Sequence, residues 1–334
     1  MTIQKLSIQN FRGIDHLELD FSHPETGKPQ DFIVLAGPNG CGKTSVLQAI
    51  LLAMSDGNLL GGENPKKYSR NKTNDPTVSI TLDNGEGRNW PIPGRYIPQR
   101  RPMPVESKRN FVYFSSWREP NLVGALALNT GKKGKSPDDN EANRLWRLKE
   151  HLINLTAMKG FEPGDESKRA EQAALGQLNE IWQLFYPASK EKFVTRRAAT
   201  PQDAKDDMLF DLFLSTGSDS AIPVDDLSSG ELEVLSMLGT LTVLRKQKPD
   251  IVLIDEPELH LHPSWHRSII QALKDMLPET QIICTTHSVK IQEMALSCER
   301  FILLREDDPR AKAWRLETPD HDVRQVAEVE GKYE

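Results

Sequence analysis

The sequence predicts an α/β protein that combines a wound, mostly parallel sheet with an N-terminal antiparallel β lobe and a helical insertion. In the C-terminal half, apolar runs alternate with helical segments, as in parallel sheets joined by crossover helices. Near the N-terminus, apolar and polar residues alternate with a period of two, which indicates antiparallel strands. A glycine-rich stretch also separates an apolar run from a helical segment. We therefore expect an N-terminal lobe at residues 1–118, the insertion at 119–206 and a C-terminal lobe at 207–334.

The N-terminal lobe begins with residues 3–21, whose alternation is interrupted at Arg12-Gly13 and predicts a two-stranded hairpin. Apolar residues dominate 45–54 and predict a helix. Further strands are predicted at residues 32–36, 78–82 and 111–114. Residues 84–106 contain five prolines, which exclude a central strand or a helix. The arginines of this loop either contact phosphate backbones or lie in solvent; they are Arg95, Arg100 and Arg101.

The insertion contains two segments, residues 141–158 and 167–185, in which apolar side chains recur every three or four positions. This spacing predicts amphipathic helices, and neither segment sustains heptads long enough for a coiled-coil arm. In the C-terminal lobe, strands are predicted at residues 207–214, 251–255, 281–286 and 301–304. Helices are predicted there at residues 232–244 and 264–276.

Residues 37–44 read G-P-N-G-C-G-K-T and match the phosphate-binding pattern G-x-x-x-x-G-K-[ST]. Glycines let the backbone turn tightly and aim its N–H groups at phosphate, and the following helix adds the positive end of its dipole. In this pattern Lys43 reaches the β- and γ-phosphates, and the Thr44 hydroxyl binds Mg²⁺. The stretch therefore predicts a nucleotide site that holds ATP and Mg²⁺.

Asp255 and Glu256 supply the acids that such a site needs on a neighbouring strand. Four apolar residues followed by an aspartate form the Walker B pattern, so we expect Asp255 to hold Mg²⁺ together with Thr44. Glu256 is placed to orient and deprotonate the water that attacks the γ-phosphate. The sequence therefore predicts a Mg²⁺-dependent ATPase that forms ADP and phosphate.

Four stretches of the sequence carry a family resemblance. Leu227-Ser228-Ser229-Gly230-Glu231 resembles the LSGGQ signature of ABC-type P-loop ATPases, with glutamate in place of glutamine, and Thr286-His287-Ser288 is similar to their switch-histidine segment. The motif order along the chain is also theirs. Residues 10–13 (N-F-R-G) and 255–263 (D-E-P-E-L-H-L-H-P) resemble the branch that contains RecF, the SMC proteins and the OLD family. Stand-alone ATPases of this kind occur in bacterial anti-phage systems of the Septu, retron-associated and PARIS types.

The resemblance implies a dimer that closes head-to-tail around two ATP molecules. Ser228, Ser229 and Gly230 would bind the γ-phosphate of ATP held by the second subunit. Glu256 would be the general base, and His287 would contact the γ-phosphate. The remaining nucleotide-binding positions implied are Arg12, Pro38, Asn39, Gly40, Cys41, Gly42, Lys43, Thr44 and Ser45, with Lys43 also catalytic.

Three features leave alternatives open. His260 and His262 have a spacing that suits a metal ion, although the family places its D-loop there, at the dimer interface. Cys41 lies beside a helix N-terminus, where thiols become more reactive, so it is either oxidation-sensitive or a small tolerated residue. The Q-loop glutamine is unassigned, because Gln99 precedes the strand at 111–114 and serines follow that strand.

Composition limits the class of protein. A net charge of −6, from 42 basic and 48 acidic residues, gives no global reason to expect nucleic-acid binding. No apolar run reaches the roughly 18 residues of a membrane helix, and the first residues do not resemble a signal peptide. Three widely spaced cysteines argue against a disulfide framework or a zinc site. We expect a cytoplasmic protein with no membrane partner.

No motif for effector chemistry accompanies the ATPase motifs, and the stretch after Ser288 is too short for the TOPRIM nuclease domain of OLD proteins. We therefore expect a regulatory subunit that controls a separately encoded effector, a nuclease or a toxin, in an anti-phage system. The alternative is a RecF-like repair ATPase that binds DNA through residues 91–104 and the lysines Lys132, Lys133 and Lys135. An ABC transporter subunit is a third interpretation, which the branch-specific motifs oppose.

Overall fold

The structure of the protein is a computed structural model. It describes residues 1–54, 65–71, 74–91, 111–116, 122, 124, 126–127, 143–161, 165–198, 209–215, 221–244, 248–304 and 326–328. The chain divides into two compact units. Unit 1 contains residues 1–116, 249–257 and 278–334, and unit 2 contains residues 117–248 and 258–277.

The described ranges contain both strands and α-helices. The strands are β1 (Ile3–Phe11), β2 (Ile14–Asp20), β3 (Phe32–Ala36), β4 (Thr77–Leu82), β5 (Gly87–Trp90), β6 (Phe111–Phe114), β7 (Leu126–Ala127), β8 (Lys192–Arg197), β9 (Leu209–Ser215), β10 (Ala221–Pro223), β11 (Ile251–Asp255), β12 (Gln281–Thr286), β13 (Arg300–Leu304) and β14 (Val326–Glu328). The α-helices are α1 (Lys43–Met54), α2 (Arg144–Phe161), α3 (Asp165–Phe185), α4 (Ser229–Thr242), α5 (His266–Met276) and α6 (Val289–Gln292). In these ranges no helix is both long and apolar enough to span a membrane.

The main sheet of unit 1 is parallel, with the strand order β14-β13-β3-β12-β11-β6. Every residue of β3, β11 and β12 is buried. Such continuous burial explains why these strands read as apolar runs rather than as alternating patterns. The wound parallel sheet predicted from the sequence is confirmed.

The second sheet of unit 1 is antiparallel, with the order β2-β1-β4-β5. Phe11 pairs with Ile14 across the turn at Arg12-Gly13, as the hairpin prediction requires. Helix α1 contacts strands of both sheets. Strand β5 lies within residues 84–106, for which the sequence predicts a loop; it is an edge strand that ends at Trp90, directly before Pro91.

Unit 2 combines helices with a small antiparallel sheet. Helix α2 packs against α3 and α4, and a side-chain carbon added at Gly239 of α4 would lie only 2.7 Å from Leu148 of α2. Strand β9 pairs with β7, β8 and β10. The insertion is therefore not purely helical, because β7 and β8 lie within residues 119–206.

The two units divide the chain differently from the three predicted segments. Residues 207–248 and 258–277 were expected in the C-terminal lobe, but they belong to unit 2. The physical reason is that β9 pairs with β8 and that α4 and α5 contact α3. These contacts join segments that are far apart in sequence, so a division into consecutive segments does not capture them.

Buried ion pairs connect α2 to the rest of unit 2. Arg144 lies 3.2 Å from Glu233 of α4, and both side chains are fully buried. Lys149, also fully buried, lies 2.6 Å from Asp211 of β9 and 2.9 Å from Asp225 in the turn before α4. Because an unpaired buried charge is costly, these pairs hold α2 in one position relative to α4.

Candidate nucleotide-binding site

The glycine-rich loop of unit 1 connects the end of β3 to the start of α1. Gly37 has a φ of 145°, and a side chain there would collide with the carbonyl oxygen of Leu303 in β13. Gly42 has a φ of 103° and faces Ile14 of the N-terminal hairpin. Only glycine adopts such backbone angles readily, so the motif glycines are required by the loop itself.

Lys43 is the first residue of α1 and is buried. Its Nζ donates hydrogen bonds to the carbonyl oxygens of Gly37 at 2.9 Å and Pro38 at 3.1 Å. The ammonium group therefore lies across the loop that the motif predicts to hold phosphate. Asn39 and Gly40 are exposed at the tip of the loop, while Thr44 and Ser45 in the first turn of α1 are partly exposed.

Asp255 is the centre of a hydrogen-bond cluster at the end of β11, and only 1% of it is exposed. The Thr44 hydroxyl lies 3.1 Å from both carboxylate oxygens. Thr285, which faces Asp255 across the β11–β12 pair, donates to the same carboxylate at 2.6 Å. The structure thus brings the P-loop threonine and the Walker B aspartate together.

The donor set of this cluster fits Mg²⁺. Adjacent ligands of an octahedral Mg²⁺ lie about 2.9 Å apart, because each Mg–O distance is about 2.0–2.1 Å. The 3.1 Å separation between the Thr44 hydroxyl and the Asp255 oxygens is close to that spacing. Hydroxyl and carboxylate oxygens are also ligands that Mg²⁺ accepts.

Glu256 follows Asp255 and has a left-handed backbone, with a φ of 54°. Its N–H donates to the Thr285 carbonyl at 3.1 Å and hydroxyl at 3.0 Å, which holds the unusual conformation. Its carboxylate lies 3.7 Å from Nε2 of His287, and both side chains are partly exposed. A non-glycine residue in this region costs about 1–3 kcal/mol and is typical of functional sites.

Arg12 occupies the tip of the N-terminal hairpin with a φ of 51°. Its guanidinium lies 5.5 Å from the ring centre of Tyr68 and 5.9 Å from that of Phe11. Burial lowers the pKa of Arg12 from its ordinary value, but arginine stays cationic at neutral pH. The neighbouring Asn10 binds the backbone of residues 71 and 74, so the hairpin is tied to that segment.

The signature residues lie in unit 2 at the start of α4. Ser228 caps the helix, and its side chain and backbone pair with Glu231 in a capping box. A side chain at Gly230 would lie 2.8 Å from the carbonyl oxygen of His260, so glycine permits a close approach here. Next to them is a pocket of about 380 Å³, lined by Tyr186, Ser228, Ser229, Gly230, His260, His262, Ser264 and Trp265.

His260 and His262 both line this pocket. Nδ1 of His262 accepts the Ser264 N–H at 3.2 Å and lies 2.7 Å from the Ser264 hydroxyl. Among the described residues, no group of three or more His, Cys, Asp or Glu side chains is arranged to hold a metal ion. The Cys41 thiol is fully buried in the core of unit 1, which favours a packing role for it.

The predicted residues form two groups, one in each unit. Unit 1 contains Arg12, residues 37–45, Asp255, Glu256 and His287, while unit 2 contains residues 228–230. Thr285 and Tyr186 have site contacts that the sequence did not indicate. The arginines at 95, 100 and 101, Gln99, and the lysines at 132, 133 and 135 lie outside the described residues.

Family models match most of the chain. One, described as "AAA domain, putative AbiEii toxin, Type IV TA system", matches residues 124–291. Another, described as "AAA domain", matches residues 5–185. Each match spans at least half of the 334 residues.

Curated relatives include two Septu PtuA proteins and a retron protein. The Septu protein PtuA of Bacillus mycoides (strain KBAB4) is 25% identical, over 92% of this chain and 41% of its own length. PtuA of Bacillus thuringiensis is 24% identical, over 92% of this chain and 77% of its own length. The Retron Vc95 probable ATPase of Vibrio cholerae serotype O1 biovar El Tor is 34% identical, over 28% of this chain and 20% of its own length. The chain thus spans less than half the length of the Bacillus mycoides protein.

A solved structure shows the fold. It is the crystal structure of an SMC head bound to the C-winged helix domain of ScpA. The match covers 88% of this chain and 93% of the SMC head chain, with a TM-score of 0.51 and 14% sequence identity. The ABC-type P-loop fold implied by the sequence motifs is therefore confirmed. The resemblance to Septu and retron ATPases is confirmed as well.

Proposed function

Because the chain belongs to the AAA-domain family, we propose that it binds ATP with Mg²⁺, hydrolyses it, and uses this cycle to control a separate effector. The observation that carries the proposal is the cluster of Thr44, Asp255, Thr285 and Glu256. In this cluster the Thr44 hydroxyl of α1 lies 3.1 Å from both oxygens of Asp255 at the end of β11, and Glu256, the candidate general base, follows Asp255 directly.

Nucleotide binding follows from the loop and the first turn of α1. Backbone N–H groups at residues 39–45 would surround the phosphates, with the α1 N-terminus adding positive potential. Lys43 would exchange the Gly37 and Pro38 carbonyls for phosphate oxygens, since its Nζ already lies within the loop. Thr44 and Asp255 would hold Mg²⁺, which when bound neutralises phosphate charge.

Hydrolysis requires a base near the attacking water. Glu256 would accept the proton as the water oxygen bonds to the γ-phosphorus and the bond to the β–γ bridging oxygen breaks, which leaves ADP and phosphate. The hydrogen bonds from the Glu256 N–H to Thr285 fix the start of this side chain. His287, whose Nε2 is 3.7 Å from the Glu256 carboxylate, would donate to the γ-phosphate.

Dimerisation is proposed from the signature pocket. Ser228, Ser229 and Gly230 line a pocket at the N-terminus of a 14-residue helix, which is a favourable place for an anion. The proposed anion is the γ-phosphate of ATP held by a second copy of the chain. ATP would then close a head-to-tail homodimer, and hydrolysis would open it.

The likeness to Septu PtuA and retron proteins supports a role in anti-phage defence. We propose that the dimer regulates a separately encoded nuclease or toxin. Tandem purification of the tagged protein, expressed from its native operon, tests this part. A co-purifying product of a neighbouring gene supports it, and an ATPase that purifies alone under ATP and ADP conditions contradicts it.

Glu256→Gln tests the ATPase part, because it keeps the side-chain size and removes the base. We expect this variant to bind ATP, to lose hydrolysis and to elute from size exclusion at twice the monomer mass when Mg²⁺ and ATP are present. Lys43→Ala is the control that should not bind nucleotide. A Glu256→Gln protein that binds ATP but stays monomeric contradicts the head-to-tail dimer.

A further inference from the structure

Glu231 links the signature to the end of α3. Its Oε2 accepts hydrogen bonds from the Ser228 N–H at 2.8 Å and the Ser228 hydroxyl at 2.7 Å. Its Oε1 accepts the hydroxyl of Tyr186 at 2.5 Å. Ser228 caps α4, whereas Tyr186 directly follows α3. One carboxylate therefore receives donors from two different elements of unit 2.

Tyr186 is well placed to be a fixed donor. Its ring lies 4.5 Å from that of Trp182 and 5.3 Å from that of Trp265, centre to centre. Burial and the neighbouring Glu231 carboxylate raise the pKa of Tyr186 above its ordinary value. The hydroxyl therefore stays protonated at neutral pH and can donate a hydrogen bond to Glu231.

Glu231 does not line the signature pocket, although both hydroxyls that donate to its carboxylate belong to residues that do. Tyr186 and Ser228 line the 380 Å³ signature pocket. Glu231 lines an adjoining small cavity with Trp182, and Tyr186 and Trp265 line both spaces. The Tyr186 and Ser228 hydroxyls thus donate to the two different oxygens of the Glu231 carboxylate. A carboxylate turned into the signature pocket would repel phosphate, since like charges at an interface are strongly unfavourable.

We propose that Tyr186 is a positioning residue that acts through Glu231 to keep the signature pocket ready for phosphate. With Tyr186 in place, Glu231 orients Ser228 and stays out of the pocket. This inference rests on the proposed function, in which that pocket receives the γ-phosphate of a second subunit's ATP. The Tyr186–Glu231 hydrogen bond also connects the end of α3 to the signature residues. A displacement of the end of α3 would therefore change the ATP concentration needed for dimer formation.

Tyr186→Phe tests the inference, because it removes the hydroxyl and keeps the ring between its aromatic neighbours. In the Glu256→Gln background, the ATP concentration for half-maximal dimer formation should rise about tenfold, the loss expected for one charge-assisted hydrogen bond. The affinity for ADP should not change, because ADP has no γ-phosphate. Ser189→Ala is the matched control, since this nearby hydroxyl bonds to Glu191 instead.

A double-mutant cycle separates positioning from general packing. In a Glu231→Ala background, Tyr186→Phe should cause no further loss. The Glu256→Gln parent and its Tyr186→Phe derivative are compared directly. If the parent dimerises and the derivative needs the same ATP concentration for half-maximal dimer formation, the inference is overturned and the proposed function is not. A parent that binds ATP but stays monomeric overturns the proposed function as well. Equal losses of ADP and ATP binding in Tyr186→Phe indicate a folding defect and also overturn the inference.

Discussion

Thr285→Val removes one hydroxyl next to the candidate Mg²⁺ site while nearly preserving side-chain volume. That hydroxyl donates a hydrogen bond to Asp255 at 2.6 Å. The Glu256 N–H still has the Thr285 carbonyl oxygen as an acceptor when the hydroxyl is removed. Asp255 is almost fully buried, so water does not replace the lost donor. A hydrogen bond to a charged group contributes about 1.5–3 kcal/mol. We expect the free energy of unfolding to fall by about 2 kcal/mol.

The same substitution should weaken Mg²⁺ binding, because an outer partner of a metal ligand typically contributes 10–100-fold in affinity or activity. Urea denaturation gives the stability, and ATPase rates over a Mg²⁺ titration give the metal requirement. Thr280→Val is the matched control. Thr280 lies just before β12, is equally buried, and its hydroxyl donates to the Pro249 carbonyl at 2.6 Å, at the opposite end of the strand from Asp255.

Thr280→Val should lose about 1 kcal/mol, as for a neutral hydrogen bond, and keep the wild-type Mg²⁺ requirement. The comparison therefore separates the effect on the metal site from the effect on stability. If Thr285→Val and Thr280→Val show the same Mg²⁺ dependence, Thr285 does not orient Asp255, and the proposed role of the cluster in metal binding is refuted.

Three further substitutions test the architecture. Lys149→Met leaves the buried carboxylate of Asp211 and the largely buried one of Asp225 without this cation and should destabilise the protein by about 3–5 kcal/mol in urea denaturation; a loss below 1 kcal/mol contradicts this. Gly37→Ala should prevent correct folding of the loop, because the added carbon collides with Leu303; normal ATP binding by this variant would refute the collision. Glu256→Gly should be more stable than Glu256→Gln by about 1 kcal/mol, because glycine relieves the left-handed backbone; an equal or lower stability shows that the strain is small.

Most of the parallel sheet was predictable, because its strands are buried on both faces and therefore appear as continuous apolar runs. The runs at residues 251–255 and 281–286 coincide with β11 and β12. The N-terminal hairpin was also predictable from its alternation. Strand β8 was missed, because only Phe193 of its six residues is buried and the rest carry little apolar pattern.

The contacts of the candidate site that the sequence did not predict join residues that are far apart in sequence. Thr285 belongs to a predicted strand, but only the register of β11 against β12 places it opposite Asp255. Tyr186 reaches Glu231 across 45 positions of sequence. No local sequence spacing encodes either contact. Motif patterns therefore identify the residues predicted to bind Mg²⁺ and ATP, but not Thr285 and Tyr186, which hydrogen-bond to motif residues.

The central claim is that each ATP is held between the P-loop of one subunit and the signature of another. Mixing two inactive variants tests it most directly. Lys43→Ala disables the P-loop, and Ser229→Glu places a negative charge at an exposed position of the signature. Neither should hydrolyse ATP alone. Their mixture should regain about a quarter of wild-type activity, because half of randomly paired dimers contain one intact composite site out of two. A mixture as inactive as its components, in which mixed dimers are shown to form, would contradict the claim.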